Sequence, residues 1–247
     1  MTPAQCDEAE LEALTSLVAD LGEDEWELPT ASAGWDVRAM LGHVLGQYEE
    51  SASPFLAMRR LRRSHRRYPD LTHLDAHNRL QIEELSALSP DEVVRRLRRV
   101  GPKAVRARRR IPKPMRRMNM ARFFPEEPLV DTSFGYLVDV LSVRDTWMHR
   151  LEISRTTGRP FKMDDHDAEV VAVVMRDLAV EWTGPALVFD LTGPAGGRFP
   201  VGAGESTVRV DALDYLWLLS GREGVPQLSI DGDESVRDAV LSARVVF

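Results

Sequence analysis

Asp145 and His149 stand four residues apart in the run Asp145-Thr146-Trp147-Met148-His149, and a third residue of matching chemistry, His43, lies well upstream. Two imidazoles and one carboxylate that converge on a point make an open metal site, the kind that does chemistry. Residues at i and i+4 of a helix project from one face, one turn apart, close enough to share an ion. Phe134, Val138, Leu141, Asp145, His149 and Glu152 step by three or four. The pair therefore continues an apolar stripe that points into the protein. A carboxylate and an imidazole in such a stripe need a partner, because burying either one unpaired is costly.

Spacing alone leaves other readings open. Asp145 could be tied to Arg144 or Arg150 on the outside, with His149 a satisfied core histidine. His73 and His77 form a rival pair, also four apart, near the start of another helix. His65 and His166 sit among charged residues and read as superficial. Cys6 lies near a terminus with no base beside it, which makes it a poor nucleophile.

The elements that must position these residues are mostly helical. Leu11, Leu14, Val18 and Leu21 give one face of a first helix that ends at Gly22. Asp36 caps a second, with Trp35 before it placed to staple onto Met40. That helix is expected to run through His43 into Arg59–Arg63. A third fits 74–88, and Ser89-Pro90 opens a fourth, with Ser89 as cap and Pro90 at its first position. Pro112, Pro114, Pro125 and Pro128 predict an extended loop over 111–131. The Asp145/His149 helix spans about 132–157, and Gly158-Arg159-Pro160 ends it.

Beyond that point the pattern changes. A helix at 165–182 precedes short alternating runs at 186–191, 198–201 and 206–210. Asp211 then caps a helix ending at Ser220-Gly221-Arg222, and a last strand at 227–230 leads to a closing helix. The expected fold class is α+β: an up-and-down four-helix bundle over 1–160, then a small α+β domain over 161–247.

Charge is uneven along the 247 residues. Residues 1–58 hold twelve acids and one base, residues 59–162 twelve acids and twenty-five bases, and residues 163–247 fifteen acids and six bases. Arg95 to Arg122 carries thirteen bases and no acid, which suggests either a polyanion surface or a solvated helix face between acidic flanks. The net charge of −7, the lack of interleaved aromatics and the absence of a reader motif argue against nucleic acid as a partner. No run of eighteen apolar residues exists, so no membrane span is expected. The acidic stretch from Met1 to Glu12 is unlike a signal or transit peptide. A single cysteine forms no internal disulfide, and a cytoplasmic protein follows as the expectation. Arginine outnumbers lysine 29 to 3, and there are only 4 Ile beside 25 Val, as in a gene from a GC-rich genome.

Several stretches resemble one family. Gly34-Trp35-Asp36-Val37-Arg38-Ala39-Met40-Leu41-Gly42-His43 resembles the second-helix motif of DinB-like metal-dependent bundles, and more specifically the mycothiol-dependent maleylpyruvate isomerase family of actinobacteria. Arg144 to Arg150, with Thr157-Gly158-Arg159-Pro160 closing the helix, is similar to that family's fourth helix. Asp75-Ala76-His77-Asn78, Leu88-Ser89-Pro90 and Ile111-Pro112 fit its pattern. Leu219-Ser220-Gly221-Arg222 and Ile230-Asp231-Gly232-Asp233 look like its sterol-carrier-like second domain. The resemblance covers nearly the whole chain.

This likeness implies a divalent metal, zinc or nickel, held by His43, Asp145 and His149, with mycothiol as the thiol cofactor. The family's isomerase has Glu where this chain has Asp145, a side chain shorter by about 1.5 Å that requires closer backbone approach. The implied chemistry is a thiolate activated on the metal that attacks a small electrophile, in an isomerase or a thiol S-transferase. Arg222 matches a stretch in which the family places a substrate-contacting arginine, and it is the expected catalytic residue beside the metal. A monomer or homodimer is expected. The competing expectation is a non-catalytic protein of the same fold that binds a metal or a small ligand.

Overall fold

The computed structural model describes residues 1–123 and 129–247. The part of the expected loop that holds Pro125 and Pro128 lies outside the described residues. The chain forms two compact units. One comprises Thr2 to Phe161 apart from the segment at Leu129 and Val130; the other comprises Lys162–Phe247 together with Met1 and that segment.

In the first unit, α1 (Pro3–Ala19), α2 (Val37–Ala52), α5 (Pro90–Arg109) and α8 (Ser142–Thr157) form the bundle. Helices α1 and α2 both pack on α5 and on α8. Leu14, Met40, Leu41, Leu45, Leu97 and Ile153 fill the space between them, each with no exposed surface. Helices α3 (Pro54–Arg67) and α4 (His73–Leu85) pack on each other and on α2. The caps sit where local chemistry puts them: Asp36 accepts from the Ala39 amide at 2.7 Å, and Ser89 caps α5 with Pro90 behind it.

One expected helix is two. The segment through His43 does not continue into Arg59–Arg63, because Pro54 breaks it: Ser53 closes α2 and its hydroxyl caps α3 by accepting from the Leu56 amide. Proline has no amide to carry the helix on, and it fits best at a first position. The region after α5 is also less extended than expected, with a short helix α6 (Lys113–Arg116) and a 3-10 turn at Ala121–Phe123.

The arginine-rich run is partly spent inside the unit. Arg108 is buried and donates to Asp7 at 3.0 Å, Arg96 bridges Glu92 and Glu49, and Arg116 pairs with Asp139. Arg116 also donates to the carbonyls of Arg108 and Ile111, which ties the end of α5 to the segment after it.

The helix that carries Asp145 begins with a short α7 (Phe134–Tyr136), passes through a π turn at Leu137–Leu141, and continues as α8. The Ser142 amide and hydroxyl both bond the Leu137 carbonyl, which holds the wider turn. The expected single apolar stripe is not what forms. Trp147, Met148, Leu151 and Ile153 are buried on other faces, so α8 is enclosed nearly all round. The π turn also shifts Phe134 out of phase with Asp145.

In the second unit, α9 (Asp165–Glu181) and α10 (Ala212–Leu219) lie against a four-stranded sheet of order β2-β1-β3-β4, and α11 (Val236–Ser242) closes the chain. Strand β1 (Leu187–Thr192) runs parallel to β3 (Thr207–Asp211), flanked by antiparallel β2 (Gly197–Val201) and β4 (Leu228–Asp231). Leu187, Phe189 and Leu191 alternate inward, and Phe189 stacks on Tyr215 of α10 with centroids 5.0 Å apart. Asp211 caps α10 by accepting from the Leu213 and Asp214 amides. His166 is buried next to Asp167, with Nδ1 3.7 Å from the carboxylate, and not superficial as its charged neighbours suggested.

Candidate metal centre

Helices α2 and α8 bring His43, Asp145 and His149 together. The Asp145 carboxylate lies between the rings, with Oδ2 3.5 Å from His43 Nε2 and Oδ1 3.4 Å from His149 Nε2. The three ligand-type atoms lie within 4.8 Å of one another. Ligands about 2.1 Å from a tetrahedral zinc ion stand about 3.4 Å apart, so these spacings fit a divalent ion. The shorter aspartate thus reaches both imidazoles. Its partners are these rings, while Arg150 turns to Glu10 and Arg144 donates to the Tyr136 hydroxyl at 3.3 Å.

Each imidazole is held from behind. His149 Nδ1 is 3.4 Å from Glu152, a fully buried carboxylate that also accepts from the Ser32 amide at 2.6 Å. His43 Nδ1 is 2.8 Å from the Gln81 side-chain oxygen. Both rings therefore turn Nε2 toward Asp145, as metal-binding histidines do when their other nitrogen has a partner. Trp35 packs on both, with ring centroids 5.2 Å from His43 and 5.9 Å from His149, and the two imidazoles meet edge to face at 5.4 Å. The side-chain nitrogen of Gln47, one turn along α2 from His43, lies 2.8 Å from His43 Nε2 and 2.9 Å from Asp145 Oδ2.

A family model described as the mycothiol maleylpyruvate isomerase N-terminal domain matches residues 8–154, and one described as the MDMPI C-terminal domain matches residues 165–239. The chain belongs to the mycothiol maleylpyruvate isomerase family. Two crystal structures, of the mycothiol-dependent maleylpyruvate isomerase and of a variant with one histidine replaced by alanine, each align with a TM-score of 0.59. Both are 15% identical to this chain, and the alignments cover 92% of it and 91% of theirs. That likeness is one of fold, α+β with a helical bundle and a small four-stranded sheet. No curated protein matches the chain.

The rival histidines go elsewhere. His77 bonds Glu50 at 2.8 Å, and His73 stacks on His65 with centroids 5.1 Å apart. Arg222 belongs to the second unit, half-buried just after Gly221, whose φ of +80° ends α10 in the left-handed conformation glycine favours. Its guanidinium lies 5.6 Å from the Trp217 ring centroid. Gln47, Gln81 and the packing of Trp35 on both rings escaped the sequence reading of the cluster's surroundings. Gln47 had a signal, the same i, i+4 spacing to His43 that marked Asp145 and His149. Trp35 was read only as a staple.

The cluster is electrostatically coupled. Burial favours the neutral form of His149, but the charge and hydrogen bond of Asp145, with Glu152 behind, outweigh it and push the ring up to about 9 from 6.5. Burial likewise works against the Asp145 charge, and His149, its strongest electrostatic partner, nonetheless holds its carboxyl well below its usual range. A raised histidine pKa stabilises the fold in full below the unfolded value and loses that contribution as pH climbs through the folded value. In metal-free protein, the thermal midpoint is expected to fall as pH rises from about 6.5 to about 9. Thermal scans across that range check this, and the slope should flatten in His149→Gln. An equally steep slope in that variant would place the titrating group elsewhere.

Proposed function

We propose that the protein is a metal-dependent, mycothiol-dependent enzyme, an isomerase or thiol S-transferase acting on a small electrophile. The observation that carries this reading is the convergence of His43, Asp145 and His149 on one point in a chain of the mycothiol maleylpyruvate isomerase family. His43 Nε2, Asp145 and His149 Nε2 would hold a divalent ion, zinc or nickel. When bound there, such an ion with three protein ligands keeps a position open for a thiol and lowers its pKa, which supplies a nucleophile at neutral pH.

The chain's own residues do the rest. Gln81 and Glu152 keep both imidazoles aimed, and Trp35 lies against both rings, limiting their contact with water. The one cysteine, Cys6, lies in the first turn of α1, outside this cluster, so the sulfur comes from an added thiol. Metal-loaded protein should therefore convert an electrophilic substrate only when a low-molecular-weight thiol such as mycothiol is supplied. Turnover with every thiol excluded, or turnover that disappears in Cys6→Ser, would sink the reading.

Arg222 is assigned the substrate's anionic group. It is one of six basic residues in the stretch from 163 to 247, and a guanidinium holds a carboxylate through two parallel hydrogen bonds that lysine cannot reproduce. Arg222→Lys is expected to lower kcat/KM on a carboxylate substrate by at least about tenfold, on the order of 1.4 kcal/mol, with metal content unchanged. Wild-type turnover in Arg222→Ala would reduce the arginine to a helix-end residue.

A further inference from the structure

The hydrogen bonds behind His43 continue well past its first partner. Gln81, on α4 and 1% exposed, places its oxygen on His43 Nδ1 and donates from its nitrogen to Glu50 Oε1 at 2.8 Å. The other Glu50 oxygen is 2.8 Å from His77 Nε2. Arg60, 3% exposed, donates to Glu50 at 3.3 Å and to the Gly46 carbonyl at 3.2 Å, and its remaining nitrogens go to Glu49 and Glu84. Gly46 is what admits Gln81 here: a Cβ on it would lie 2.9 Å from Gln81 Cγ. Burial would raise the Glu50 carboxyl, but the bonds from His77 and Gln81 and the Arg60 charge bring it below its ordinary range.

Hydrogen-bond polarity runs one way along this chain. An ionised carboxylate only accepts, so Glu50 must face the Gln81 amide nitrogen, and the Gln81 oxygen must face His43. A carbonyl oxygen also only accepts, so His43 Nδ1 carries the proton. The opposite side of the ring gives the same answer independently. Asp145 Oδ2 fixes the Gln47 nitrogen as the group between them, and that nitrogen, a donor only, faces His43 Nε2. Nε2 is therefore the lone-pair nitrogen.

We propose that Glu50, acting through Gln81, is a positioning residue that fixes His43 as its Nδ1–H tautomer and keeps the Nε2 lone pair on Asp145 and His149. The consequence for metal affinity rests on the metal reading above; the tautomer does not. Outer partners of a metal-bound histidine typically change affinity about 10–100-fold when removed.

Two measurements test it. Two-bond proton–nitrogen correlations of the histidine rings, taken on metal-free protein at mildly alkaline pH, should show His43 as a single Nδ1–H tautomer. In Glu50→Gln and Gln81→Met the signal should become a mixture or shift to Nε2–H, and zinc affinity, read by competition with a chromophoric chelator, should fall about 10–100-fold. A merely structural role in docking α4 on α2 would lower the thermal midpoint without changing the tautomer. An Nε2–H ring in the wild type, which needs no variant to fold, overturns the proposal. So do variants that keep the wild-type tautomer, whatever their zinc affinity. A wild-type protein that binds no zinc but shows the Nδ1–H ring would defeat the metal reading and leave the positioning role standing.

Discussion

His149→Ala should leave the protein essentially without metal, and the turnover that depends on metal should fall by at least about a thousandfold, on the order of 4 kcal/mol. The ring supplies one of three ligand-type atoms, and its loss also leaves the Asp145 carboxylate without its strongest electrostatic partner. Two ligands on one ion hold it far less well than three, and water does not replace an imidazole whose orientation Glu152 has already set. Elemental analysis of the purified variant, beside His73→Ala as a control from the rival pair, reads the outcome directly. Full metal in His149→Ala together with loss in His73→Ala would show that the centre has been placed wrongly.

The second large effect concerns folding. Glu10 and Arg150 are 0% and 2% exposed and join α1 to α8 through hydrogen bonds of 2.8, 3.1 and 2.9 Å. Arg150 also lies over the Phe161 ring at 4.0 Å. Removing one member of such a pair strips these buried hydrogen bonds from the other, which costs about 3–5 kcal/mol. Glu10→Ala should lower the free energy of unfolding, read by chemical denaturation, by that amount. The double change Glu10→Leu with Arg150→Met should recover part of it, because apolar side chains then replace both members of the pair. A single variant within about 0.5 kcal/mol of wild type would mean that the guanidinium is satisfied without Glu10.

What could be read from the sequence was what local chemistry decides. Asp36, Ser89 with Pro90, Asp211 and Gly158 announce helix ends through their own side chains or backbone, and each end falls there. The break at Ser53-Pro54 carried the same signal as Ser89-Pro90, and a run of helix-compatible residues on both sides masked it. His43, Asp145 and His149 were legible as a candidate set from one i, i+4 pair and a family likeness. Their surroundings were not. Gln81 and Glu50 matter because α4 packs on Gly46, and Arg150 finds Glu10 only once α1 and α8 are side by side. Such pairings depend on tertiary approach, and no spacing within a segment encodes them. The stripe through Phe134 failed for a different reason: a period of 3.6 was carried across a turn that does not have it.

That π turn sets a fixed rotational offset between the two ends of its helix. The N-terminal end is anchored by the Ser133 cap and by the Phe134 amide on the Met118 carbonyl, while the part from Ser142 onward must present Asp145 and His149 to α2. An unbroken α-helix advances about 100° per residue, so one residue fewer between Leu137 and Leu141 would swing the anchored end by about that angle relative to the ligands. The extra residue acts as a phase adjuster. It sets the angle between the Ser133 anchor and the face that carries Asp145 and His149.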